Sequence, residues 1–76
     1  MREKHPFIVL SFHTTVAAME WEKRCMETGM PGRLIPLPRE ISAGCGLAWR
    51  MRPEEWEQWS GRIDTSVYDK VSCVWQ

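Results

Sequence analysis

Two helix-forming stretches are set among four short strand-forming runs, and glycines and prolines mark most of the boundaries between them. Phe7 to Phe12 is an apolar run of strand formers behind Pro6, which predicts a first strand. His13, Thr14 and Thr15 then supply capping side chains, with Ser11 just upstream. Short polar side chains at such positions accept hydrogen bonds from the free N–H groups of a helix's first turn. Val16 to Thr28 follows without glycine or proline and is rich in good helix formers. A helix is predicted there, closed by Gly29 in a C-terminal cap. Val16, Met19, Lys23 and Met26 fall on one side of it, beside Ala18, Glu22 and Cys25; this is the expected apolar stripe, an imperfect one.

Arg33 to Pro38 predicts a second strand, whose two prolines have no N–H to give to a ladder and so assign it to an edge. Arg39 to Gly44 reads as a polar loop and Leu47 to Met51 as a third strand. Pro53, followed by Glu54 and Glu55, opens a second helix that carries Trp56 and Trp59 and reaches Gly61. Val67 to Trp75 predicts the fourth strand, with Val67, Val71, Cys73 and Trp75 on one face and Asp69 breaking the pattern. Strand-helix-strand-strand-helix-strand is best satisfied in a small α+β domain of ferredoxin-like βαββαβ type. A four-stranded antiparallel sheet then carries both helices on one face. The third strand lies between the first and second, and the fourth on the other side of the first. A small α+β sandwich with another strand order competes with it.

With 76 residues, the chain is expected to be one small domain over 1–76, ordered from about residue 6 to about 75. A core of this size leaves no room for a cofactor domain, and no cofactor is expected. Ten basic residues balance ten acidic ones, so there is no basic footprint for nucleic acid. The longest unbroken apolar stretch, Phe7 to Leu10, is far below the roughly 20 residues of a membrane span. The polar N-terminus lacks the pattern of a signal peptide, and the cytoplasm is the expected compartment. Cys25, Cys45 and Cys73 are odd in number and widely spaced. They form neither a disulfide framework nor a zinc-binding pair, and no metal site is expected.

The expected topology brings the start of the third strand beside the end of the first. Cys45 opens the third strand, and His13 closes the first and begins the first helix. A helix N-terminus carries partial positive charge and unpaired N–H groups. A thiol held there, near basic groups, ionises more readily. Gly44 and Gly46 let the backbone turn around Cys45, and Arg33, Arg39 and Arg50 are nearby cations. Cys45 is therefore the candidate reactive thiolate, and His13 the candidate base or proton donor to it. The sequence shows no third group to orient that imidazole, and a Cys/His hydrolase ranks below the other readings. The plainer reading of Cys45 is a small residue at a tight turn. Cys25 and Cys73 read as small buried hydrophobes. Four of the five tryptophans read as core or sheet packing, with Trp21 partly exposed. Stacking of RNA on the sheet is disfavoured by the neutral charge and the lack of an aromatic RNP-type motif.

The run Arg33-Leu34-Ile35-Pro36-Leu37-Pro38-Arg39-Glu40-Ile41-Ser42, followed by Cys45-Gly46-Leu47-Ala48, resembles the signature of the selenium/sulfur carrier-like proteins, a small bacterial family. The resemblance spans about Phe7 to Tyr68. Trp21, Met26 and the tryptophan-rich second half depart from the family pattern. Carried over residue by residue, it makes Cys45 the carrier thiol, with Pro38, Arg39, Ile41, Ser42 and Gly46 in its surrounding motif. The expected function is then a sulfur or selenium carrier in which Cys45 holds the atom as a persulfide or selenopersulfide. Arg39 and the backbone from Gly44 to Gly46 would steady the anion, and Ser42 would donate a hydrogen bond. The resemblance further implies a cysteine desulfurase-type donor and an acceptor such as a selenophosphate-forming or thiolation enzyme. Pairing of two copies through an edge strand is open to such a chain. The alternative is a non-catalytic module that binds a ligand or protein, with Cys45 as a turn residue.

Overall fold

The structure is a computed structural model that describes residues 3–41 and 45–76. Its elements run β1 (Pro6–Ser11), α1 (Thr15–Thr28), β2 (Arg33–Pro36), β3 (Leu47–Met51), α2 (Pro53–Trp59), a 3-10 turn (Ser60–Arg62) and β4 (Lys70–Trp75). The fold is α+β. Its four strands lie in the order β2-β3-β1-β4, and every neighbouring pair is antiparallel.

Local signals account for most boundaries. Thr14 caps α1, its Oγ1 accepting from the Ala17 N–H at 3.0 Å. Gly29 ends the helix at φ 75, a conformation that costs a residue without Cβ nothing. Pro53 opens α2, and Glu55 accepts from the Arg52 N–H at 2.8 Å. Gly32 enters β2 at φ 120, where a Cβ would collide with Trp49 Nε1 and with the Arg50 carbonyl at 2.6 Å.

Both helices pack on one face of the sheet. Ala18, Trp21 and Cys25 of α1 join Leu10, Phe12, Trp49 and Met51, with Trp56 and Trp59 of α2 packed against that cluster. The inner stripe of α1 differs from the expected one. Ala18, Trp21 and Cys25 are buried, while Val16, Met19 and Met26 are exposed. The cause is the indole: Trp21 meets Trp49 edge-to-face with ring centroids 6.3 Å apart. Burying that ring removes more apolar surface from water than burying a methionine would.

The other face has its own small cluster. Val9, Ala48 and Val74 are buried there, with Phe7, Ile35, Leu37 and Ile41 against them. The chain leaving β2 therefore turns under the sheet, and Leu37 and Ile41 cover what the helices do not. A Pro38–Ile41 turn shapes this segment, the Ile41 N–H donating to the Pro38 carbonyl at 3.0 Å.

β4 also departs from expectation. It starts at Lys70, because the preceding residues are engaged in turns: Ser66 N–H donates to Asp64 Oδ1 and Val67 N–H to the Asp64 carbonyl. Val71, Cys73 and Trp75 do share a face, but all three are exposed, and the buried residue is Val74 on the other side. β4 is the outer strand, and the seven-residue α2 rests against β1 instead. Cys73 is thus an exposed edge thiol, not the buried one the alternation suggests.

Candidate functional site

One end of the sheet gathers most of the residues singled out in the sequence. The Cys45 N–H donates to the Phe12 carbonyl at 3.1 Å, extending the β1–β3 ladder by backbone alone. Cys45 therefore sits beside the last residue before His13 and the start of α1. Its side chain is half-buried and packs against the helix-side core. The Leu37 N–H donates to the Gly46 carbonyl at 2.9 Å. That bond closes the base of the 37–46 loop, with Cys45 next to the closing residue. Gly46 holds φ 92 with open space where a Cβ would stand. Conformation, not crowding, calls for glycine there.

His13 and Asp69 form a pair on the same end. Imidazole Nε2 lies 3.5 Å from Asp69 Oδ1, with the imidazole largely exposed and the carboxylate mostly covered. Asp69 is held in place by its own N–H, which donates to the Ser11 carbonyl at 2.7 Å. The buried Ser11 hydroxyl accepts from the next residue, Lys70, at 3.2 Å. The third group missing from the sequence reading is Asp69. Its signal was present as the polar residue that interrupts the apolar alternation before β4. Among the described residues, no hydrogen bond or ion pair links the Cys45 thiol to His13 or to Arg39.

Arg39 is exposed in the Pro38–Ile41 turn, on the near limb of the loop that carries Cys45 on its far limb. Ser42 and Gly44 lie outside the described residues. The first turn of α1 contains no acidic side chain, so its partial positive charge is not neutralised from within the helix, and the carboxylate on the same end is that of Asp69 against His13.

The three thiols differ sharply. Cys25 is buried in the core, and desolvation pushes its pKa up to about 12, so it stays neutral and inert. Cys73 is exposed on the outer strand, and Cys45 is intermediate. Among the described residues, no group of three His, Cys, Asp or Glu side chains could hold a metal ion. No helix among them is long and apolar enough to cross a membrane.

Comparison with known proteins places this geometry in context. Residues 7–65 match the model of a family described as "Putative Se/S carrier protein-like". The matched segment includes Cys25 and Cys45 and stops short of Cys73. A relative from Escherichia coli (strain K12), "Uncharacterized protein YtiA", is 34% identical over 68 residues, covering 86% of this chain and 80% of the relative. No solved structure matches the chain.

Proposed function

The chain belongs to the Se/S carrier protein-like family, and from that premise we propose that Cys45 is the thiol that carries the atom. The observation that supports this reading most is the position of Cys45. It is the family-matched thiol that is not buried in the core, and it is tied by its own N–H to the strand end that leads into α1.

The proposed step is thiol–persulfide exchange. Cys45 thiolate attacks the terminal sulfur of a donor's Cys–S–SH. A new S–S bond forms to Cys45, the donor's S–S bond breaks, and the donor cysteine leaves as thiolate. The terminal sulfur moves with its proton, and no outside oxidant or reductant is consumed. Selenium transfers in the same way from a selenopersulfide. The positive end of α1 and the backbone around Gly46 favour the anionic forms on either side of the step. Arg39, Ser42 and Gly44 belong to the loop that would meet the incoming group. His13, oriented by Asp69, delivers or removes the proton during hand-over.

In this reading the donor is a cysteine desulfurase-type enzyme and the acceptor a selenophosphate-forming or thiolation enzyme. The protein works in the cytoplasm, where thiols stay reduced. We read the β2-β3-β1-β4 order as the ferredoxin-like arrangement. The outer edge of β4, which lacks proline, is the edge open to pairing with a second copy.

Incubating the reduced protein with a cysteine desulfurase and cysteine, then measuring intact mass, tests the proposal. One added sulfur atom is expected on the wild type and on Cys73→Ser, and none on Cys45→Ser. Addition that survives in Cys45→Ser and disappears in Cys73→Ser would move the carrier thiol to the outer strand. No addition from either the desulfurase or a selenide-derived donor would overturn the carrier reading.

A further inference from the structure

A cavity of about 370 Å³ opens between the C-terminal half of α1 and the segment after α2. It lies on another part of the molecule from Cys45: Arg24 on its rim is ten residues along α1 from Thr14, or about 15 Å along the helix axis. Its walls include the indoles of Trp21 and Trp59 and the side chain of Ile63. Arg24, Arg62 and Asp64 line it from exposed positions.

Three features give this cavity the character of a binding site. Its volume is within the range of small-molecule pockets, and its apolar walls carry a few charged groups, as such pockets do. The Arg62 guanidinium is stacked 5.0 Å from the Trp59 ring centroid, which orders a charge at the mouth without consuming its hydrogen-bond donors. Among the described residues, neither Arg24 nor Arg62 has an ion-pair partner, whereas the Asp64 carboxylate already accepts the Ser66 N–H at 2.9 Å. The remaining demand at the mouth is for negative charge. Trp21 adds a further oddity: its Nε1 is the buried side-chain donor without a partner among the described residues.

We infer that this cavity binds a small aromatic carboxylate, its ring between Trp21 and Trp59 and its anion on Arg62 and Arg24. A guanidinium fork fits a carboxylate with two parallel hydrogen bonds, and flat polarisable walls suit a ring. The inference stands apart from the role of Cys45.

Three probes that share a ring and differ in charge test it: indole-3-acetate, indole-3-acetamide and tryptamine. Each is titrated into the protein at neutral pH and low salt while the indole N–H signals of the tryptophans are followed by NMR. Saturable shifts are expected at Trp21 and Trp59, with the exposed Trp75 unmoved. Indole-3-acetate should bind about tenfold more tightly than the neutral amide, with tryptamine weakest because its ammonium is repelled by the guanidiniums of Arg24 and Arg62. Arg62→Gln should remove most of the preference for the acid while leaving the other indole signals in place. Equal binding of acid and amide, tighter binding of tryptamine, shifts spread over every tryptophan, or no saturation at millimolar acid would each overturn the inference.

Discussion

Burial sorts the three cysteines into a core thiol at Cys25, a half-covered one at Cys45 and an exposed one at Cys73. Cys25 falls on a helix with a clear inner side, and its burial follows once Trp21 sets that side. Cys73 alternates with apolar residues exactly as a core position would, yet it is exposed, because alternation reports a shared face and not whether anything covers it. Alkylation at pH 7.5 should therefore modify Cys73 and Cys45 readily and Cys25 only on unfolding, as read by peptide mass mapping. Rapid native-state labelling of Cys25 would contradict its place in the core. Its raised pKa carries a stability consequence. An unfolded Cys25 loses its proton near its ordinary value of 9.0, while the folded thiol keeps it to about 12. Between those values the native state binds more protons than the unfolded state, so stability falls as pH rises. The slope should approach roughly 1 kcal/mol per pH unit above pH 9. Urea melts at pH 8 and pH 10.5 should show it, and Cys25→Ala should remove that share of the slope. Asp69 is the residue the sequence marked without explaining. If it orients His13 in hand-over, Asp69→Asn should slow transfer from loaded Cys45 by about tenfold while leaving loading intact. An unchanged transfer rate would reduce the pair to a surface contact.

At the scale of elements, punctuation was read more reliably than faces. Gly29, Pro53 and the Thr14 cap act through the backbone, so their signals are local and survive in the fold. Which side of α1 turns inward depends on what it meets, and Trp49 across the interface is 28 residues away from Trp21 in sequence. The two stripes make opposite predictions for mutation. Trp21→Ala should cost about 3–5 kcal/mol, since it empties a core site, whereas Met26→Ala should stay within about 0.5 kcal/mol. Urea melts compare them directly; similar costs for both would mean the stripe had been assigned to the wrong side. The same logic limits β4. Its pairing with β1 follows from the expected topology, but α2 is too short to roof its outer half, and nothing in the strand itself records the length of a helix elsewhere.

At the scale of the molecule, the central strands β1 and β3 are covered on both faces, and the sequence held a hint of this. In β1, Val9, Leu10 and Ser11 are buried in succession; an unbroken apolar run is the mark of a strand covered on both sides. Helices cover one face, and the segment carrying Leu37 and Ile41 covers the other. That second cover is also the near limb of the loop that ends at Cys45, closed at its base by the Leu37–Gly46 hydrogen bond. The small cluster of Val9, Ala48 and Val74 therefore does two things at once: it completes the core and pins the loop that presents the thiol. Weakening the pin should release the loop before it unfolds the domain, because the helix-side cluster is larger and untouched. Ile41→Ser is expected to cost about 1–3 kcal/mol of stability and to raise the alkylation rate of Cys45 several-fold, with Cys73 as the internal reference. A rise shared equally by both thiols would mean global loosening. No rise at all would mean that the loop holds its shape without its apolar anchor, and the coupling between core and candidate site would then be absent.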